Sequence, residues 1–339
     1  MAPTHRLKRT RFNEDGGGVS AGRPRPFRFG VLAESALSRK ALLDTARRAE
    51  DGGFSTFLIR DHFIAEPFGH QFAPLTALAI VAGMTKALRI GSLVLGCAYR
   101  HPALLAKEIA TLDVMSEGRV ELGLGTGFSR VEYERAGLAF DPPRARLERL
   151  EEVLHVLKGL FADEPLRFTG KHYSVTDLDG FPKPVQRPHP PILIGGAGAR
   201  LLSIAAREAD IIGFQTVETK HGVLSREPTP RLADTVMQKI EQVRQTAGTR
   251  FSEIELSTVA SVIVTDRRQE AAERFARDQG WSAIPTEKVL EMPSVFIGTA
   301  GQVIVDMQMR RERFGFSYYV IFDQAMDEVA PIVSRLAGT

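Results

Sequence analysis

Asp61 and His62 stand side by side in a chain of 339 residues. A histidine beside a carboxylate is a combination well suited to moving a proton near neutral pH. Glu34, at the end of a different apolar run, is a candidate to orient His62 or to shift its pKa. Two glycine-rich stretches, Gly123 to Gly127 (GLGTG) and Gly195 to Gly198 (GGAG), would let backbone N–H groups approach a ligand closely. The second opens directly into a helical pattern, and a helix N-terminus attracts phosphate. GLGTG departs from the dinucleotide fingerprint because its third glycine comes one residue early. No Walker A sequence, H-x-H pair or H-E-x-x-H occurs, so a metal-dependent hydrolase is disfavoured and no metal is expected. The one cysteine, Cys97, lies late in an apolar run and reads as a packed small hydrophobe. Phe63, Phe68, Tyr99, Phe128 and Phe214 are candidate walls for an apolar or ring-containing small-molecule substrate.

These residues must be positioned by regular elements, and the chain repeats one unit from Phe27 onward. Short runs rich in Val, Ile, Leu and Phe alternate with longer segments of helical period. The runs are Phe27 to Ala33, Ser55 to Asp61, Leu88 to Gly96, Arg119 to Gly127, Pro190 to Gly196, Ala209 to Gln215, Ile254 to Val264 and Phe316 to Phe322. Ser38 is a candidate N-cap and Gly52-Gly53 a stop for the first helix, and Leu166 to Val175 has the alternation of a hairpin. The stretch Trp281 to Ile297 is less regular. Continuous apolar strands joined through helices pair in parallel with both faces covered. Eight such units imply a (β/α)8 TIM barrel with insertions. An open doubly wound sheet would carry a nucleotide fingerprint at its first turn, and Phe29 to Ser35 has none. A barrel places its site at the C-terminal ends of the strands. Those ends supply Glu34, Asp61 to Phe63, Gly96 to His101, Gly125 to Arg130, Gly195 to Gly198, Gln215, Thr265-Asp266 and Asp323.

The net charge of +3 is unevenly spread. Residues 1–26 hold six Lys or Arg against two acids, while the rest holds 38 against 39. A nearly neutral body argues against nucleic acid as a partner. Residues 1–26 are expected to be a flexible basic extension without the apolar segment of a secretory signal, and 27–339 a single domain. No apolar run approaches a membrane span, and the lone cysteine fits a reducing, cytoplasmic setting.

The strand-end motifs and their order resemble the luciferase-like monooxygenase superfamily, and within it the branch that uses the deazaflavin coenzyme F420. The matching elements are RDHF (Arg60 to Phe63), YRHPALLAKEIATLDVMSEGRVELGLGTG (Tyr99 to Gly127), KPVQRPHPPILIGGAG (Lys183 to Gly198) and IGTAGQV (Ile297 to Val303). The resemblance implies a bacterial luciferase-like TIM barrel with insertions at its C-terminal face, commonly a homodimer. It implies Asp61 against the coenzyme ring, His62 beside the substrate, and a non-prolyl cis peptide in the third strand at Leu93-Val94, close to Gly96. Thr126, Gly127, Gly195, Gly196, Ala197 and Gly198 would meet the phosphate and ribityl chain.

Phe128 replaces a glutamate, and Phe68 a tryptophan, of the glucose-6-phosphate dehydrogenases of this branch, which argues against sugar-phosphate oxidation. The leading expectation is an F420-dependent oxidoreductase passing hydride between the deazaflavin and an unsaturated small organic substrate, with His62 managing the proton. The alternative is an FMN-dependent two-component monooxygenase using reduced flavin and O2. Either would draw on an F420 or flavin reductase. A noncatalytic flavin carrier would bind the coenzyme without a substrate-sized cavity beside it.

Overall fold

The computed structural model describes residues 24–220 and 222–339, so the expected extension lies outside the described residues except for Pro24, Arg25 and Pro26. The apolar runs fold as eight strands: β1 (Arg28–Leu32), β2 (Thr56–Ile59), β3 (Arg89–Ser92), β4 (Val120–Gly125), β5 (Ile192–Gly196), β6 (Ile211–Phe214), β7 (Glu255–Val264) and β8 (Phe316–Phe322). Each pairs in parallel with the next. The last pairs back on the first, Phe29 opposite Tyr319 and Val31 opposite Ile321, which closes the barrel.

Helices α1 (Arg39–Asp51), α2 (Pro74–Met84), α3 (Pro102–Met115), α4 (Pro143–Phe161), α5 (Ala199–Glu208), α6 (Ala233–Ala247), α7 (Ala300–Phe314) and α8 (Met326–Leu336) form the outer layer. Their periodicity dictates the docking face. Leu150, Val153, Leu154, Leu157 and Leu160 form one buried stripe of α4, and Ser38 caps α1 by accepting the N–H of Ala41. The structure thus has the expected (β/α)8 architecture.

The third apolar run breaks after Ser92 at the cis Leu93-Val94 peptide that the resemblance implies, and resumes as the two-residue strand Leu95–Gly96. One local expectation differs. The irregular stretch beyond Trp281 contains a helix, Thr286–Leu290, and a strand, Val295–Gly298. That strand pairs with the far half of β7, Ser261 opposite Val295, because β7 is ten residues long and outruns the barrel wall. Around it Trp281, Val289, Met292 and Ile297 pack with Ala271, Ala272 and Ala276 of the helix Arg268–Asp278 into a second small core. Insertions after β4, β6 and β7 therefore stand at the C-terminal face. The hairpin, Leu166–Thr169 with Ser174–Leu178, lies instead between α4 and β5, where Glu152 accepts the N–H groups of Lys171, His172 and Tyr173.

The barrel interior is layered. Leu32, Leu58, Leu193, Ile211, Tyr318 and Val320 fill its middle. Below them Arg28 Nε lies 2.9 Å from both oxygens of Glu255, and its Nη1 pairs with Glu121. Arg89 Nε reaches Glu121 at 2.7 Å, and the Tyr318 ring lies 3.8 Å from the Arg28 guanidinium carbon. Burial alone would raise the Glu121 carboxyl, but the charges of Arg28 and Arg89 prevail and hold it below the usual carboxylate range.

Glu121→Ala would take from the half-buried guanidinium groups of Arg28 and Arg89 the carboxylate they share, leaving Glu255 as the remaining acid of the cluster, a loss of about 3–5 kcal/mol by urea unfolding at neutral pH. Because the folded carboxyl is depressed, its contribution is full above the unfolded value of about 4.3 and disappears as pH falls through the lower folded value. The native protein and the variant should therefore converge in acid.

Candidate active site

The chain leaving β2 carries the first chemistry-bearing residues, and two buried carboxylates, Asp61 and Glu132, fix its path. Asp61 is buried, and Arg100 grips both its oxygens, Nη1 at 2.6 Å and Nη2 at 3.2 Å. Asp61 Oδ2 also accepts the Gly96 N–H at 3.1 Å, so the ends of the second and third strands are tied together. Next along, His62 Nδ1 stands 3.0 Å from Glu132 Oε2. Glu132 comes from the short helix Arg130–Arg135 after β4, and its side chain is only 1% exposed.

Three groups donate to this carboxylate: His62 Nδ1–H, the Phe63 N–H, and the Tyr99 hydroxyl at 3.1 Å. Burial would raise the Glu132 carboxyl. The donors, His62 foremost, outweigh it and keep the group below the ordinary carboxylate range. Burial, with Tyr133 and Glu132 as neighbours, pushes the Tyr99 phenol up, so it stays protonated and donates. An ionised Glu132 requires the proton on His62 Nδ1, which leaves Nε2 as the exchangeable nitrogen. Phe68 and Phe128 flank the imidazole at 5.0 and 5.7 Å between ring centroids.

Glu34 was expected to orient His62, but it pairs with Arg60, whose guanidinium lies 3.9 Å over the Phe68 ring. Arg60 leaves the same strand end one residue before Asp61 and reaches Glu34 first. Glu132 does the work instead. Nothing in FSRVEYERAG marks it, since a glutamate among charged residues looks solvated. Its neighbour Arg130 is indeed exposed and pairs with Glu134. Cys97 is buried and burial pushes its thiol up to about 12, consistent with a packing residue.

A cavity of about 730 Å³ opens at the mouth of the barrel. Phe68, Phe128 and Phe214 line it as expected, together with Phe322, Val259 and Arg231. Phe63 and Tyr99 do not. The Glu132 hydrogen bonds turn both away, and their rings meet each other at 4.9 Å with Phe63 61% exposed.

Beside this cavity the glycine-rich strand ends form a cradle. Val94 leans over Gly125 and Gly195, where an added Cβ would fall 2.5 and 3.2 Å from its methyl groups. Gly127 has a φ of +72°, and a side chain there would run into the Tyr133 hydroxyl. Thr126 and Ala197 are half-buried beside these glycines. Gly198 caps α5 and has open space at its Cβ position, and no capping side chain takes the first-turn N–H groups. Such a cradle suits the phosphate and chain of a flavin-type coenzyme. Among the described residues no group of His, Cys, Asp and Glu is arranged to hold a metal ion, and no helix is long and apolar enough to cross a membrane.

A family profile described as luciferase-like monooxygenase matches residues 25–313. The chain is 33% identical over 230 residues to the F420-dependent glucose-6-phosphate dehydrogenase of Microbacterium testaceum, 66% of either chain. It is 32% identical over 270 residues to the protein of that name from Nakamurella multipartita, 77% of this chain and 74% of the relative. The match thus spans about two thirds to three quarters of these relatives' own length. The coenzyme F420 dependent tetrahydromethanopterin reductase from Methanopyrus kandleri superposes with a TM-score of 0.72 at 18% identity, over 92% of this chain and 100% of that one, a likeness of fold.

Replacing Glu132 by Gln keeps an acceptor oxygen and removes the charge, which should cost about 1–3 kcal/mol in thermal or urea unfolding. The imidazole nitrogen resonances of His62 should move in Glu132→Gln and stay in place in Glu34→Gln. The opposite pattern would return the orienting role to Glu34.

Proposed function

Since the chain belongs to the luciferase-like monooxygenase family, we propose that it is an F420-dependent oxidoreductase acting on an unsaturated small organic substrate at the barrel mouth. The observation that carries this reading is the placement of His62. Its Nδ1 is locked on an ionised carboxylate, and its ring stands between two phenylalanines that also line the cavity. Val94, Gly125, Thr126, Gly127 and Gly195 to Gly198 would hold the coenzyme, with the α5 N-terminus toward its phosphate. Bound there in reduced form, the deazaflavin would supply the hydride for one carbon of a polarised double bond.

The protein's own residues supply the rest. His62 Nε2 holds the proton destined for the other end of that bond, and Glu132 stabilises the imidazolium before the transfer. Asp61 acts through position, pinning Gly96 and Arg100 at the ends of the second and third strands. The aromatic walls keep water from the reacting atoms. Phe128 and Phe68 give this mouth an apolar lining, which favours a substrate other than a sugar phosphate.

The same reading places the enzyme in the cytoplasm, where a coenzyme reductase would renew the reduced form. It also makes the enzyme a homodimer. Helix α2 has no charged residue, and its Ile80 and Met84 are exposed, as are Leu104 and Met115 of the adjacent α3. Apolar side chains of that size on neighbouring helices suit burial against a second copy.

Anaerobic titrations with reduced F420 and reduced FMN test the coenzyme. Tight binding of the deazaflavin alone is expected, whereas preference for FMN with oxygen uptake would replace this reading by a two-component monooxygenase. His62→Ala should lower kcat by about 10²–10⁴-fold and leave the coenzyme Kd nearly unchanged. Equal losses in both would remove the proton role. Light scattering should give a dimer mass that Ile80→Glu reduces to a monomer, and a monomeric native protein would refute the interface.

A further inference from the structure

The cavity is lined by four arginines, and they are not equivalent. Arg60 is matched by Glu34, and Arg135 and Arg226 are exposed to solvent. Arg231 is half-buried, on the short helix Thr229–Arg231 that connects β6 to α6. Among the described residues its Nη1 reaches the Thr216 hydroxyl alone, at 3.5 Å, and its Nε is shielded from solvent and finds no hydrogen-bond partner. Among the described residues no carboxylate pairs with it. The Trp281 ring backs its guanidinium at 5.1 Å and is itself fixed by an Nε1–H bond of 2.6 Å to the Arg226 carbonyl. Burial draws the Arg231 pKa down, as it does for a cation without a counter-ion.

A half-buried guanidinium with a shielded, unpaired Nε is costly unless something supplies acceptors. Around it the cavity offers the hydroxyls of Thr216 and Ser261 and the apolar faces of Phe214 and Phe322. Among the described residues the one acid in the lining, Glu66, is exposed. One held cation without a counter-ion matches one negative charge, and the planar fork of arginine matches a carboxylate.

We propose that Arg231 binds the carboxylate of an unsaturated carboxylic acid whose apolar body lies against the phenylalanines, so that this residue sets the charge class of the substrate. The inference rests on the cavity being the substrate chamber.

Calorimetric titration of the coenzyme-free protein with cinnamate and with cinnamamide tests it, since the two probes share ring and double bond and differ in charge. The acid should bind about tenfold or more tightly than the amide, a gap typical of a charge-assisted bidentate contact. Arg231→Met should abolish the preference and Arg231→Lys should keep part of it, with far-UV circular dichroism and unfolding temperature checking the fold of each. Equal affinities, an acid that fails to bind at 20 mM (about 2 kcal/mol in free energy), or a preference surviving Arg231→Met would each overturn the proposal. No coenzyme is present in the titration, so its failure leaves the F420 reading standing, and a failed F420 titration leaves this result intact.

Discussion

One guanidinium, that of Arg28, neutralises carboxylates from β4 and β7, two strands that are not neighbours in the barrel. Charges taken out of water are tolerated only when each finds a partner with good geometry. Arg89 supplies the second cation, and Tyr318 closes one face of the arrangement with its ring. The N-terminal end is thereby plugged by a fixed polar lattice with leucine, isoleucine and valine stacked above it. The long connections after β4, β6 and β7 surround the opposite end, where the cavity of about 730 Å³ opens.

The mouth repeats the same logic on a smaller scale, but its anchor is not on a strand. Glu132 gathers the end of β2 and the loop after the third strand onto one helix of six residues. Asp61 does likewise for Arg100 and Gly96. Functional side chains sit on connecting segments, and buried carboxylates remove the freedom such segments would otherwise have. The result is a histidine with one nitrogen committed and the other free.

The barrel was legible because strand and helix periods differ and the chain alternates between them eight times. Ser38, the α4 stripe and the boundaries of β8 follow from local rules that tertiary packing did not override. Less legible were features that depend on distance in space. Glu34 and Glu132 look alike in sequence, and only the fold decides that Arg60 takes the first and His62 the second. Phe63 and Tyr99 are as aromatic as Phe68, yet hydrogen bonds elsewhere turn them from the cavity. Val295–Gly298 is only four residues long and pairs with the overhang of a strand whose length no motif announces.

That overhang creates a division within the architecture. Phe275 and Gln279, which line the cavity, come from a segment whose core is Trp281, Val289 and Met292, separate from the core of the barrel. Changes there need not propagate into the sheet or disturb its floor. Selection can therefore reshape one wall of the chamber while the scaffold is inherited unaltered, a modularity through which descendants of one barrel can diverge in diet without refounding their fold.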